Sequence, residues 1–119
     1  MSSYIDGYIL PIRKDQVEAY RRIANMAAGL WREHGALSYR ECVAEDLAAE
    51  GMTPFPVLVN AKADETIVFA WIEFASRADR DRINAAVMND PRMTGMSPDD
   101  VPFDCRRMAY GGFETLVQR

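Results

Sequence analysis

Thr66-Ile67-Val68-Phe69-Ala70-Trp71-Ile72-Glu73-Phe74 (TIVFAWIEF) is the strongest strand signal in the chain, dense in β-branched and aromatic residues. Both of its parities are apolar: Ile67, Phe69 and Trp71 on one, Val68, Ala70, Ile72 and Phe74 on the other. A strand with one wet face alternates apolar with polar residues, so this one is expected to be covered on both sides. Working outward, Asp64-Glu65 turns the chain into it, and Ser76 with Asp79 three positions later is a capping signal for a helix ending near Asn89, ahead of Pro91.

Upstream, Tyr4 to Ile12 reads as a first strand, with Pro11 near its end. Asp15 and Glu18 form a DxxE capping pattern. Val17, Tyr20, Ala24, Ala27 and Trp31 then recur at helical steps, giving a helix over 16–34 that Gly35 closes. Leu37 to Ala44 is a second strand. Residues 45–56 read as a loop, Val57 to Ala61 as a short extended piece, 92–104 as irregular, and Arg107 to Val117 as the last strand, where Gly111-Gly112 marks a bulge or a close backbone approach. The order βαββαβ predicts an α+β, ferredoxin-like sandwich: an antiparallel sheet ordered 4-1-3-2 with two helices on one face. At 119 residues one domain is expected.

Two helices cover only one face of such a sheet. Each large apolar side chain left in water forfeits about 1.5–3 kcal/mol, against a whole-domain stability of about 5–15 kcal/mol. A second copy is the simplest cover, so a homodimer is expected. Ile5 and Ile9, with Val68, Ala70 and Ile72, are assigned to the helix side. The opposite parity holds Tyr4, Asp6, Tyr8, Phe69, Trp71, Glu73, Tyr110 and Glu114, while strand two is ambiguous between Tyr39/Glu41 and Arg40/Cys42. That mixture of aromatics and acids suits a dimer interface or a cavity closed by the partner sheet.

Candidate ligand-binding residues on that face are Tyr8, Trp71, Glu73 and Tyr110. His34, the single histidine, is open to two readings: a cap at the negative end of its helix, or a general base oriented by Asp6 or Glu41. Asp6, Glu41, Glu73 and Glu114 are likewise open to two readings: a shared low-dielectric site for acid/base chemistry, or the wet rim of an interface. A cavity between the sheets lined by Tyr8, Trp71 and His34 would mark a protein that binds a small polar or aromatic molecule, with cofactor-independent acid/base or oxygenase chemistry open to it; a solidly packed face would mark a non-enzymatic structural or stress-related interaction module.

The remaining classes are narrowed by charge and motif. Fourteen basic against 18 acidic residues give a net charge of −4 with no basic stripe, so nucleic acid is not an expected partner. One His and two distant Cys offer no metal-ligand spacing, and no cofactor is expected. No apolar stretch approaches the ~20 residues that span a bilayer, and the first residues show no leader pattern, so a cytoplasmic protein is expected. Cys42 and Cys105 are expected to be buried, reduced thiols too far apart to pair.

Five ordered blocks, YIDGYILPI (4–12), WREHGAL with YRECV (31–37, 39–43), KADETIVFAWIEF (62–74), NAAVMNDPRM (84–93) and PFDCRRMAYGGFE (102–114), resemble the YbaA-like family of small bacterial proteins, for which no function is established. The resemblance implies the dimeric α/β-barrel superfamily, in which two ferredoxin-like units pack sheet to sheet. Relatives in that superfamily carry out several unrelated chemistries, so the fold alone selects none of them.

Overall fold

Tyr4–Arg13 forms the first strand, β1, in a computed structural model that describes residues 3–119. Pro11 is tolerated there because the continuous pairing of β1 with the last strand stops at Ile9, and only an isolated bridge from Ile12 to Phe103 follows on that edge. A 3₁₀ turn at Lys14–Gln16 leads into α1, Val17–Glu33. The Asp15 side chain does not cap this helix; it is held by Arg13 at 2.6 Å, and Glu18 pairs with Arg21 at 3.1 Å. At the far end Gly35 adopts φ +119°, with Ala36 N–H donating to Trp31 O (2.9 Å) and Gly35 N–H to Arg32 O (3.2 Å), the two bonds of a Schellman motif. A Cβ at Gly35 would also meet Ile83 at 3.3 Å.

Ser38–Val43 is β2. The segment read as extended instead forms a short helix, α2, at Phe55–Leu58, because Pro54 and Pro56 sit where helix N-termini favour proline. Glu65–Phe74 is β3, and Arg77–Met88 is α3, capped by Ser76 accepting from Asp79 N–H at 3.1 Å. Pro91–Thr94 forms a single turn, α4, within the stretch expected to be irregular, and Ala109–Glu114 is β4.

The sheet is antiparallel, in the order β2-β3-β1-β4, with the ferredoxin-like connectivity. The core lies between sheet and helices in two clusters, one around Phe74, Ile72, Leu30 and Val87, the other around Leu10, Ile12, Val68 and Ala70. Tyr8 packs against both.

The strand-one parity is the reverse of the expectation. Tyr4, Asp6 and Tyr8 pair with Phe74, Ile72 and Ala70 and so face the helices, while Ile5 and Ile9 pair with Glu73 and Phe69 on the opposite face. Small residues make the room: Gly112 lies under the Tyr4 hydroxyl so closely that a Cβ there would stand 2.2 Å from it. On the other face, α2 covers one end, with Phe55 edge-on to Phe69 (6.1 Å between centroids) and Ile67 and Val59 buried. The rest of that face is open, and Phe69 and Phe113 are 44% and 59% exposed. Both cysteines are free and exposed rather than buried, Cys42 on edge strand β2 and Cys105 in a 3₁₀ turn before β4.

Candidate functional site

Two polar constellations grow from the helix-facing side of the sheet. The first surrounds Asp6, whose side chain is fully buried. Its Oδ2 accepts from Asn84 Nδ2 (3.2 Å) and from the Tyr110 hydroxyl (3.1 Å), and its Oδ1 lies 3.4 Å from Arg80 Nη1. Arg80 also donates to the Tyr110 hydroxyl (2.6 Å) and the Tyr4 hydroxyl (3.1 Å), and Trp31 Nε1 donates to Asn84 Oδ1 (2.9 Å). Arg80 and Asn84 are one helical turn apart on α3, so a single stripe of that helix supplies both partners. The network bolts α3 to β1 and β4, and it neutralises the buried carboxylate with a buried cation.

The second constellation centres on Glu41 of β2. The Tyr39 hydroxyl donates to Oε2 at 2.5 Å, and the Tyr20 hydroxyl, reaching across from α1, donates to Oε1. Burial pushes the Tyr20 phenol well above its ordinary range, and its bond to Glu41 pushes further. Tyr39 and Tyr8 are raised in the same direction, first by burial and then by the charges of Glu41 and Asp6 respectively. Tyr110 follows them, through burial and then Asp6. These phenols therefore remain donors at neutral pH.

Between the constellations, where the two core clusters fail to merge, lies a cavity of about 530 Å³. Its aromatic walls include Tyr8, Tyr20, Trp31, Tyr39 and Phe103, with Tyr8 and Tyr110 rings 4.9 Å apart, Trp31 and Tyr39 6.0 Å apart, and Tyr20 and Phe103 5.6 Å apart. Met93 and Met96 from the α4 segment and Met108 close another side, so this stretch is a wall of the cavity. Glu41 is the one charged side chain among the lining residues.

The candidates read from sequence fall on both sides of the sheet, and Tyr8, Trp71, Glu73 and Tyr110 together border a concavity of about 850 Å³ on its open face. Tyr8, Tyr110 and Glu41 line the cavity and Asp6 lies beneath it. Trp71 and Glu73 are on the opposite face, where Arg40 stacks over Trp71 (5.6 Å) and Ser38 Oγ donates to Glu73 (3.0 Å). Glu114 has the helix-side parity but is exposed, so the four carboxylates do not meet. His34 is the C-cap residue of α1 and lies outside the cavity lining; its Nε2 is 3.1 Å from Asp90 Oδ2. Arg92, which also binds Glu33, is the chief cause of the low Asp90 carboxyl, with His34 contributing. The roles of Arg80 and Asn84 as partners of Asp6 went unread in the sequence, although two polar residues at an i, i+4 step beside buried Ile83 and Val87 were a legible sign. Among the described residues, no group of three or more His, Cys, Asp or Glu is placed to hold a metal ion, and no helix is long and apolar enough to cross a membrane.

Residues 3–105 match the model of a protein family of unknown function, DUF1428. The chain is 42% identical over 114 residues to the uncharacterized protein YbaA of Escherichia coli K12, covering 96% of this chain and 97% of that protein, and equally to the YbaA of Shigella flexneri. It belongs to this family. Among solved structures it is similar to a dimeric ferredoxin-like protein from an uncultured marine organism (TM-score 0.63, 11% identity, all of both chains). It is also similar to a NIPSNAP family protein of Agrobacterium tumefaciens (TM-score 0.62, 15% identity, 96% of this chain and 88% of that one). At such identities the likeness concerns the fold alone.

Proposed function

We propose that the protein is a homodimer in which each copy binds a small, largely apolar organic molecule between its own sheet and helices. The observation that carries the reading is the cavity: about 530 Å³, within the range of small-molecule sites, walled by aromatic and methionine side chains and holding a few convergent polar groups. Asp6 is committed to Arg80, Asn84 and Tyr110, so of the candidate carboxylates Glu41 is the one available to a bound molecule.

The dimer is supported by the open apolar face and by the dimeric state of the ferredoxin-like neighbour. A second sheet on Ile5, Ile9, Phe69, Trp71 and Phe113 would bury what the chain itself leaves uncovered. In this arrangement Trp71 and Glu73 belong to the assembly, and Tyr8, Tyr110 and Glu41 to the binding site.

The chain carries two tryptophans, one on each side of the sheet. A Trp71→Phe form therefore leaves Trp31 as a reporter of the cavity. Titration with 2-phenylethanol is expected to change Trp31 emission saturably, and Ala24→Phe, which fills the cavity, is expected to abolish the response. No saturable change in the folded protein would reject the reading.

A further inference from the structure

We infer that the molecule this cavity takes is an organic cation, an amine with an aromatic or alkyl body whose ammonium group sits against Glu41. The inference rests on the cavity being a binding site and adds the chemical class of its occupant.

Charge bookkeeping around the cavity points this way. Asp6 and Arg80 beneath the floor cancel one another, and no Lys, Arg or His is among the lining residues. Glu41 is therefore an uncompensated carboxylate in a mostly apolar enclosure. Arg21 lines the adjoining cleft between α1 and β2, which Glu41 also borders, but its guanidinium is engaged with Glu18 at 3.1 Å. A carboxylate has acceptor capacity for about four hydrogen bonds. Tyr20 and Tyr39 occupy one site on each oxygen, leaving capacity that only a donor can fill.

The surroundings favour a charged donor over a neutral one. Ring faces attract cations, and Glu41 stands among Tyr8, Tyr20, Tyr39 and Trp31, the combination of carboxylate and aromatic walls that suits an ammonium group. Beyond it, Met93, Met96 and Met108 give an adaptable apolar end for the body of the molecule. An anionic ligand would meet Glu41 with no cation to answer it.

The test compares 2-phenylethylammonium, 2-phenylethanol and 3-phenylpropionate, near-isosteric probes differing in charge, by calorimetry and by Trp31 emission in the Trp71→Phe form. The ammonium probe is expected to bind about tenfold tighter than the alcohol or better, with the propionate weakest. Glu41→Gln is expected to cost the ammonium probe far more than the alcohol, erasing the gap of about tenfold between them. If Glu41→Gln does not fold, the ranking of the three probes on the protein with Glu41 intact decides alone. Alcohol or propionate binding as tightly as the ammonium probe overturns the inference and spares the binding site. Failure of all three to bind overturns both.

Discussion

The two faces of the sheet use aromatic residues in opposite ways. Toward the helices, Tyr4, Tyr8 and Tyr39 turn their rings inward and Tyr110 stands half-exposed at the edge, and the hydroxyls of Tyr4, Tyr39 and Tyr110 find Arg80, Asp6 or Glu41. On the far side Phe69, Trp71 and Phe113 stand beside Ile5 and Ile9, with Phe55 against Phe69 and the Arg40 guanidinium over Trp71. A buried hydroxyl needs a partner in place before the face can close, whereas a hydrocarbon face needs only another like it. The helix side is consequently self-contained apart from its cavity, and the open side keeps its apolar surface uncovered by the chain itself.

The contrast is broken most severely by removing one partner from the closed side. Asp6→Ala removes the buried acceptor shared by Asn84, Tyr110 and Arg80, leaving the guanidinium, only 14% exposed, with Asp81 as its one carboxylate, and is expected to destabilise by about 3–5 kcal/mol in urea unfolding. Replacing both, as Asp6→Leu with Arg80→Met, should recover most of that loss. On the open side, Phe113→Asp is expected to weaken the proposed dimer by about 2–4 kcal/mol. Sedimentation would then return monomers at micromolar concentration with the circular dichroism of the fold retained.

Two adjacent glycines sharpen the same distinction. Gly112→Ala drives a Cβ into the buried Tyr4 ring and is expected to cost about 1–3 kcal/mol. Gly111→Ala meets the exposed Phe113 ring at 3.3 Å, which can swing aside, and should shift the midpoint far less. The smallest effect belongs to the pair beside the end of the open face that the chain covers itself. Two bonds from Arg107, at 2.7 and 2.8 Å, hold the Glu65 carboxyl at about 2, below its ordinary 4.5. A depressed carboxyl contributes stability that is complete above the unfolded value and is lost as pH falls toward 2. The decline in stability between pH 4.5 and 2 should be shallower in Arg107→Met.

Much of this was open to reading in one dimension because the relevant interactions are local. Ser76 caps α3 through Asp79 three residues on, Gly35 ends α1 through bonds to Trp31 and Arg32, and the two apolar parities of β3 declare a strand covered on both sides. Failures were of two kinds. Asp15 looked like a cap but its carboxylate was taken by Arg13, a nearby competitor, and PFPVL (54–58 with Pro54 at the cap) turned into a helix where β-propensity suggested extension. The second kind was the parity of β1: Tyr4, Asp6 and Tyr8 look wet beside Ile5 and Ile9, and alternation alone assigned them outward.

What the amino-acid order determined was the succession of strands and helices, their sheet order, and the surplus of apolar surface on one side, since periodicity and capping act over a few residues. Which side of β1 faces inward, and hence that Glu41, Tyr8 and Tyr110 line the helix-side cavity while Trp71 and Glu73 lie across the sheet from it, was settled only by folding. The reason is that Arg80, Asn84 and Tyr110, which make burial of Asp6 and its neighbouring tyrosines tolerable, lie more than seventy residues away along the chain. The free energy of a polar group depends on the partners it meets rather than on its own hydrophobicity.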